Sequence, residues 1–174
     1  PIIASTKRRA VWLGINLLTA FLGAWVIGRF EDTIQQLVAL AVLMPVVAGM
    51  GGIAGSQTLT IAIRGIALGQ IAKTNVKPLL IKELSIGILN GIFWSCVVAI
   101  VVILWFGKLS LGVIIGASMI INLIIAALAG ATIPIILKRY GIDPAIAGGV
   151  ILTTVTDVVG FVTFLGLATI FLLS

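Results

Sequence analysis

Long apolar runs separated by short polar clusters dominate the pattern along this chain. Cutting at the charge clusters and turn residues leaves five runs: Ala10–Gly28, Ile34–Ile63, Leu84–Phe106, Leu111–Leu137 and Pro144–Leu173. Each meets the roughly 20 residues a helix needs to cross a hydrocarbon core about 30 Å thick. The pattern predicts an all-α membrane protein with five transmembrane helices. The second and last runs are long enough that they must tilt, kink or project from the bilayer.

The polar clusters give the predicted orientation. Lys7, Arg8 and Arg9 precede the first run, Arg64, Lys73, Lys77 and Lys82 separate the second from the third, and Lys138 and Arg139 follow the fourth. The opposite side carries Arg29 and Lys108, beside Glu31 and Asp32. An excess of Lys and Arg marks the cytoplasmic side, so the N-terminus is expected in the cytoplasm and the C-terminus outside. Trp12, Trp25, Trp94 and Trp105 are read as lying towards run ends, as interfacial anchors.

Composition supports the membrane class. Hydrophobic residues make up 61% of the 174 and charged residues 9%, and mean hydropathy is +1.33; a water-soluble domain needs far more polar surface. The net charge of +6 is explained by the topological clusters, so nucleic-acid binding is not expected. One cysteine, Cys96, excludes an intrachain disulfide, and the absence of histidine excludes imidazole metal sites and bases. The chain starts at Pro1 rather than Met, as expected of a piece of a longer protein.

Two segments carry candidate chemistry. The first is Met44–Thr60, where Pro45 removes an intrahelical hydrogen bond and the glycines permit close approach or local unwinding. Gly52, Ser56 and Thr60 are spaced four apart and share a helix face that offers hydroxyls and carbonyls. Helix packing is the plain alternative, because Gly51/Gly55, Gly87/Gly91 and Gly112/Gly116 are small-xxx-small pairs. Gln57 beside Ser56 favours function, since a buried amide needs partners.

The second segment is Ile151–Phe161, which contains Asp157. No other acid lies deep in a long apolar run. A carboxylate at the bilayer centre costs roughly 2.5–3.5 kcal/mol on insertion scales, so it faces a protein interior or a water path. Thr153 and Gly149 lie four and eight residues before it, on the same face. Thr154 and Thr156 are expected to bond back to preceding carbonyls, and Asp143-Pro144 to open the helix as N-cap and first turn. An acid simply bonded to a neighbouring helix is the alternative for Asp157. A two-fold axis beside it would bring two carboxylates together, and two charges with carbonyls and hydroxyls suit hydrated Mg²⁺.

At these segments the chain resembles the transmembrane domain of the MgtE family of magnesium channels. The resemblance runs from Lys7-Arg8-Arg9 and Asn16–Phe21 to the last run, and its specific parts are Met44–Gln57, Arg64–Gly69, Asp143-Pro144-Ala145 and Thr153–Asp157. It implies a homodimer with five helices per subunit and a pore on the two-fold axis, lined by the second and fifth helices. It implies that Asp157 is the selectivity aspartate holding hydrated Mg²⁺, with oxygens at Gly52, Ser56, Thr60, Gly149 and Thr153. Many relatives carry Asn where Ile53 stands, and often where Ser56 stands.

Family members also carry cytoplasmic N-terminal and CBS domains. Residues 1–174 are expected to be the pore domain alone, with Pro1–Arg9 as the end of a connecting helix. The expected function is passive Mg²⁺ uptake through a multi-pass protein of the cell (inner or plasma) membrane. The alternative is a carrier coupling divalent cations to H⁺ or Na⁺ through Asp157. No enzyme is expected: there is no His-Glu-x-x-His motif, no histidine base, and one membrane carboxylate per chain where an aspartyl dyad needs two.

Overall fold

The computed structural model describes residues 1–71 and 75–172. Those residues form six α-helices, five long and one short: α1 Ile2–Gly28, α2 Glu31–Gln36, α3 Ala39–Ala67, α4 Val76–Phe106, α5 Leu109–Arg139 and α6 Pro144–Leu172. The five long ones are the helices apolar enough to cross a membrane. With 27 to 31 residues each, they are roughly 40–47 Å long at 1.5 Å per residue. They are longer than a hydrocarbon core of about 30 Å, and charged residues sit towards an end of α1, α3, α4 and α5.

The boundaries differ from the sequence reading in ways that have physical causes. The predicted run Ile34–Ile63 is two helices, because the chain leaves helical geometry at Leu37 (φ −142°, ψ 89°) between α2 and α3. Apolarity continues through this break, so a hydropathy cut passes over it. The third run, predicted from Leu84, begins at Val76 and takes Lys77, Lys82 and Glu83 into α4. Trp94 therefore sits near the middle of α4, not towards an end. Leu173 and Lys73 lie outside the described residues. Gly107 (φ 69°) and Gly141 (φ 74°) follow α4 and α5 in the left-handed region that favours glycine.

α5 is the central helix. It packs on α3, α4 and α6, and it is the most deeply buried of the spans. Its contacts with α4 are made by the predicted glycine pairs. Gly87 and Gly91 of α4 meet Ala127, Leu123 and Ile120, and Gly112 and Gly116 of α5 meet Ile103, Ala99 and Ser95. Packing therefore accounts for both pairs. At Gly130 the backbones of α5 and α3 nearly touch, since a Cβ there would lie 2.6 Å from the Gly55 carbonyl oxygen. α1 is peripheral and lies along α6, with Gly23 against the Phe161 ring.

Two apolar clusters fill the bundle, one around Leu43, Val47, Ile115 and Phe164 and the other around Leu59, Ile133 and Leu152. Ser118 and Asn122 on α5, and Thr156 on α6, are fully buried and lie between the clusters in sequence.

Candidate functional site

α3 and α6 form an antiparallel pair with a readable register. Gly55 faces Leu152, Leu59 faces Gly148 and Val47 faces Gly160, so four residues forward on α3 match four residues back on α6. Gly55 lies in this seam against Leu152, and Gly51 packs against Asn122 of α5, so packing explains that glycine pair too. Each of the six predicted site residues immediately follows a buried residue of the seam. Gly52, Ser56 and Thr60 follow Gly51, Gly55 and Leu59; Gly149, Thr153 and Asp157 follow Gly148, Leu152 and Thr156.

One residue is a turn of 100° about a helix axis. Because α3 and α6 run antiparallel, that step rotates both rows to the same side of the pair. Apart from α1, which borders the α6 row across from Gly149 and Thr153 and packs on Phe161 one turn past Asp157, the chain leaves this side open: Ser56, Thr60, Gly149 and Thr153 are exposed, and Gly52 and Asp157 are half-buried. A Cβ at Gly52 or Gly149 would meet nothing within 4 Å. By the seam register Asp157 stands level with Met50, Thr153 with Ala54 and Gly149 with Thr58. The rows therefore interleave in depth, and the structure brings all six predicted residues onto one surface.

The chemistry of that surface is oxygen-rich and carries one carboxylate. Thr60 donates its hydroxyl proton to the Ser56 carbonyl at 2.8 Å, and the oxygen of this exposed side chain keeps its capacity to accept. Thr154 and Thr156 bond back to the carbonyls of Val150 and Thr153, at 2.8 and 3.2 Å, as predicted. Asp143 caps α6 by accepting the Ala145 N–H at 3.0 Å. Beside Gly149 and Thr153, a cleft of about 750 Å³ opens between α6 and Arg9, Trp12 and Asn16 of α1.

The glycines of Met44–Thr60 serve close approach, the first of their two expected uses, at Gly51 and Gly55; the helix does not unwind, being continuous from Ala39 to Ala67 through Pro45. Pro45 lies in the second turn, so its missing N–H frees only the Ala41 carbonyl. Gln57 is exposed, so the need of a buried amide for partners does not arise within the protomer.

The sequence reading missed two residues. Glu83 is 4% exposed and accepts a hydrogen bond at 3.2 Å from Thr58 of α3. It is a second carboxylate inside a spanning helix, although it lies outside the Asp157 surface. The spacing Glu83, Gly87, Gly91, Ser95, all buried, carried the signal: four residues back from the glycine pair lands on the acid. Asn122 is fully buried on α5 and donates its amide N–H to the Val47 carbonyl at 2.9 Å. Its signal was an amide in mid-run, four residues after Ser118.

The chain matches the family model for MgtE, described as divalent cation transporter, over residues 44–167. It is 38% identical to the magnesium transporter MgtE of Bacillus subtilis over 167 residues, covering 96% of this chain and 37% of that protein. It is 31% identical to the magnesium transporter MgtE of Enterococcus faecalis over 172 residues, covering 99% and 38%. It is also 31% identical to the one of Thermus thermophilus over 170 residues, covering 98% and 38%. The chain thus spans under two fifths of the length of these relatives. With five spanning helices and a match across most of its length, the chain is a multi-pass membrane protein that belongs to the MgtE family.

Proposed function

We propose that this chain is the pore-forming part of a magnesium channel, with the path running between two copies along the uncovered side of α3 and α6. The observation that carries the reading is the common placement of the six polar or small positions on that side, with Asp157 among them. Lipid is a poor neighbour for such a surface, because unpaired oxygens and a carboxylate in hydrocarbon cost several kcal/mol. A two-fold axis resolves this: an isologous contact places the same surface of a second copy opposite, and the two surfaces enclose a polar path.

In such a path two Asp157 carboxylates face one another, and the hydroxyls of Ser56, Thr60 and Thr153 accept hydrogen bonds from the water of a hydrated ion. Mg²⁺ gives up its water reluctantly, so a ring of acceptors around the hydrated ion suits it better than a tight cage. The cytoplasmic face is assigned to the end bearing Lys7, Arg8, Arg9, Arg64, Lys138 and Arg139. A membrane potential supplies about 2.3 kcal/mol per elementary charge per 100 mV, which drives a divalent cation inward without a coupled ion. The relatives' description as magnesium transporters agrees with this cargo.

The test is Mg²⁺ flux into liposomes by the wild-type chain and by Asp157→Asn. The variant is expected to lose nearly all flux while eluting in the same assembly state. Wild-type flux with wild-type ion preference would remove Asp157 from the path. Single-channel currents separate a channel from a slow coupled carrier.

A further inference from the structure

Asn122 is a polar side chain of α5 whose contacts reach both helices of the proposed path. Its amide nitrogen donates to the Val47 carbonyl of α3 at 2.9 Å. That nitrogen also occupies the space a Cβ would need at Gly51, where the two would collide, and would lie 3.1 Å from a Cβ at Gly160 of α6. Glycine at both positions lets the amide enter the α3–α6 seam. Gly51 immediately precedes Gly52, and Gly160 lies one turn after Asp157. The amide therefore wedges the two helices from behind, at the depth where Asp157 leaves the seam.

The same side chain has a cost that packing does not explain. Its Oδ1 is, among the described residues, the buried side-chain polar atom without a hydrogen-bond partner. An unsatisfied buried acceptor lowers stability, and an apolar side chain of similar shape removes the penalty. Two fully buried hydroxyls of the same stretch, one turn before Asn122 on α5 and level with Gly51 on α6, bond within their own helices: Ser118 donates to the Ile114 carbonyl at 2.8 Å and Thr156 to the Thr153 carbonyl at 3.2 Å. Asn122 instead reaches across to another helix and leaves half of its amide unused.

We propose that Asn122 is a positioning residue for ion selection: it fixes the separation and rotation of α3 and α6 at the level of Asp157, and so the size of the ring that meets the hydrated ion. This rests on the reading that the cation path follows the α3–α6 surface. Mg²⁺ tolerates little departure from its preferred octahedral shell, whereas Ca²⁺ accepts variable geometry. A small change in ring size therefore shifts the preference between the two ions before it abolishes transport.

The experiment compares wild type, Asn122→Leu, Gly160→Ala and Asp157→Asn in liposomes. It reads Mg²⁺ flux against concentration, Mg²⁺ preference over Ca²⁺, and thermal unfolding. Asn122→Leu is expected to keep or raise the unfolding temperature while its preference for Mg²⁺ falls by roughly tenfold, about 1.4 kcal/mol of differential binding. Gly160→Ala pushes on the amide with one methyl and is expected to shift the preference in the same direction. It decides the matter if Asn122→Leu does not fold.

A purely structural role predicts instead that flux and stability fall together with preference unchanged, and that outcome overturns the proposal. Asp157→Asn keeps the two readings apart. If it conducts like wild type, the path lies elsewhere and the assignment of Asn122 falls with it. If it is inactive while Asn122→Leu and Gly160→Ala keep wild-type preference, the assignment of Asn122 alone falls.

Discussion

Thr58 has one hydroxyl proton and two acceptors within reach, the Glu83 Oε2 at 3.2 Å and the Ala54 carbonyl at 3.4 Å. Both side chains are buried, at 7% and 4% exposure, so no water replaces the bond if it is removed. Thr58→Val keeps the shape and leaves the Glu83 oxygen without its donor, at a cost of about 1–3 kcal/mol. Thr58→Ser should retain most of the stability. Denaturation of the two variants in detergent checks this, and equal midpoints would show that the bond contributes nothing. Charge in an apolar run made Asp157 legible at this scale. Glu83 was not, because a run drawn by hydropathy starts after its last charge, at Leu84. Asn122 was missed because a single uncharged amide barely lowers the hydropathy of the run around it.

Among the helices, the distinction that matters is one residue wide. Gly51 and Gly55 pack, while Gly52 and Ser56 do not, and the spacing of four is the same in both rows. Spacing therefore revealed the stripes but left open which one faced the core. The partner decides that: Asn122, Leu152 and Gly130 occupy the Gly51–Gly55 side. Two predictions separate the rows. Gly130→Ala drives a methyl into the Gly55 backbone and should destabilise by about 1–3 kcal/mol, as overpacking does. For Gly55→Ala the nearest atoms belong to the Leu152 side chain rather than to backbone, so it should cost less. On the other row a Cβ at Gly52 meets nothing within 4 Å and Ser56 is exposed, so Gly52→Trp or Ser56→Trp should leave stability nearly unchanged while Mg²⁺ conduction is blocked. Unblocked flux in a folded Ser56→Trp protein would take α3 out of the path.

For the whole molecule the question is which face meets a second copy. Large apolar side chains are exposed on nearly every helix, including Leu104 at 80% and Trp105 at 64% on α4. Lipid covers such residues at no cost, so exposure alone does not locate an interface. The α3–α6 side differs in being small and oxygen-bearing, which lipid does not satisfy. Spacing carried the two rows and the acid, and that they meet was implied by the family resemblance alone; the geometric reason is the antiparallel seam, which places residues about a hundred positions apart in contact. If copies pair there, Thr60→Cys in a Cys96→Ala background should join two chains through a short bifunctional maleimide. Removing Cys96 matters because it is itself exposed. Leu104→Cys, on the apolar outer surface of α4, should stay monomeric on a denaturing gel under the same treatment. A covalent dimer from Leu104→Cys with none from Thr60→Cys would place the contact on α4 and leave the Asp157 surface facing something other than its own copy.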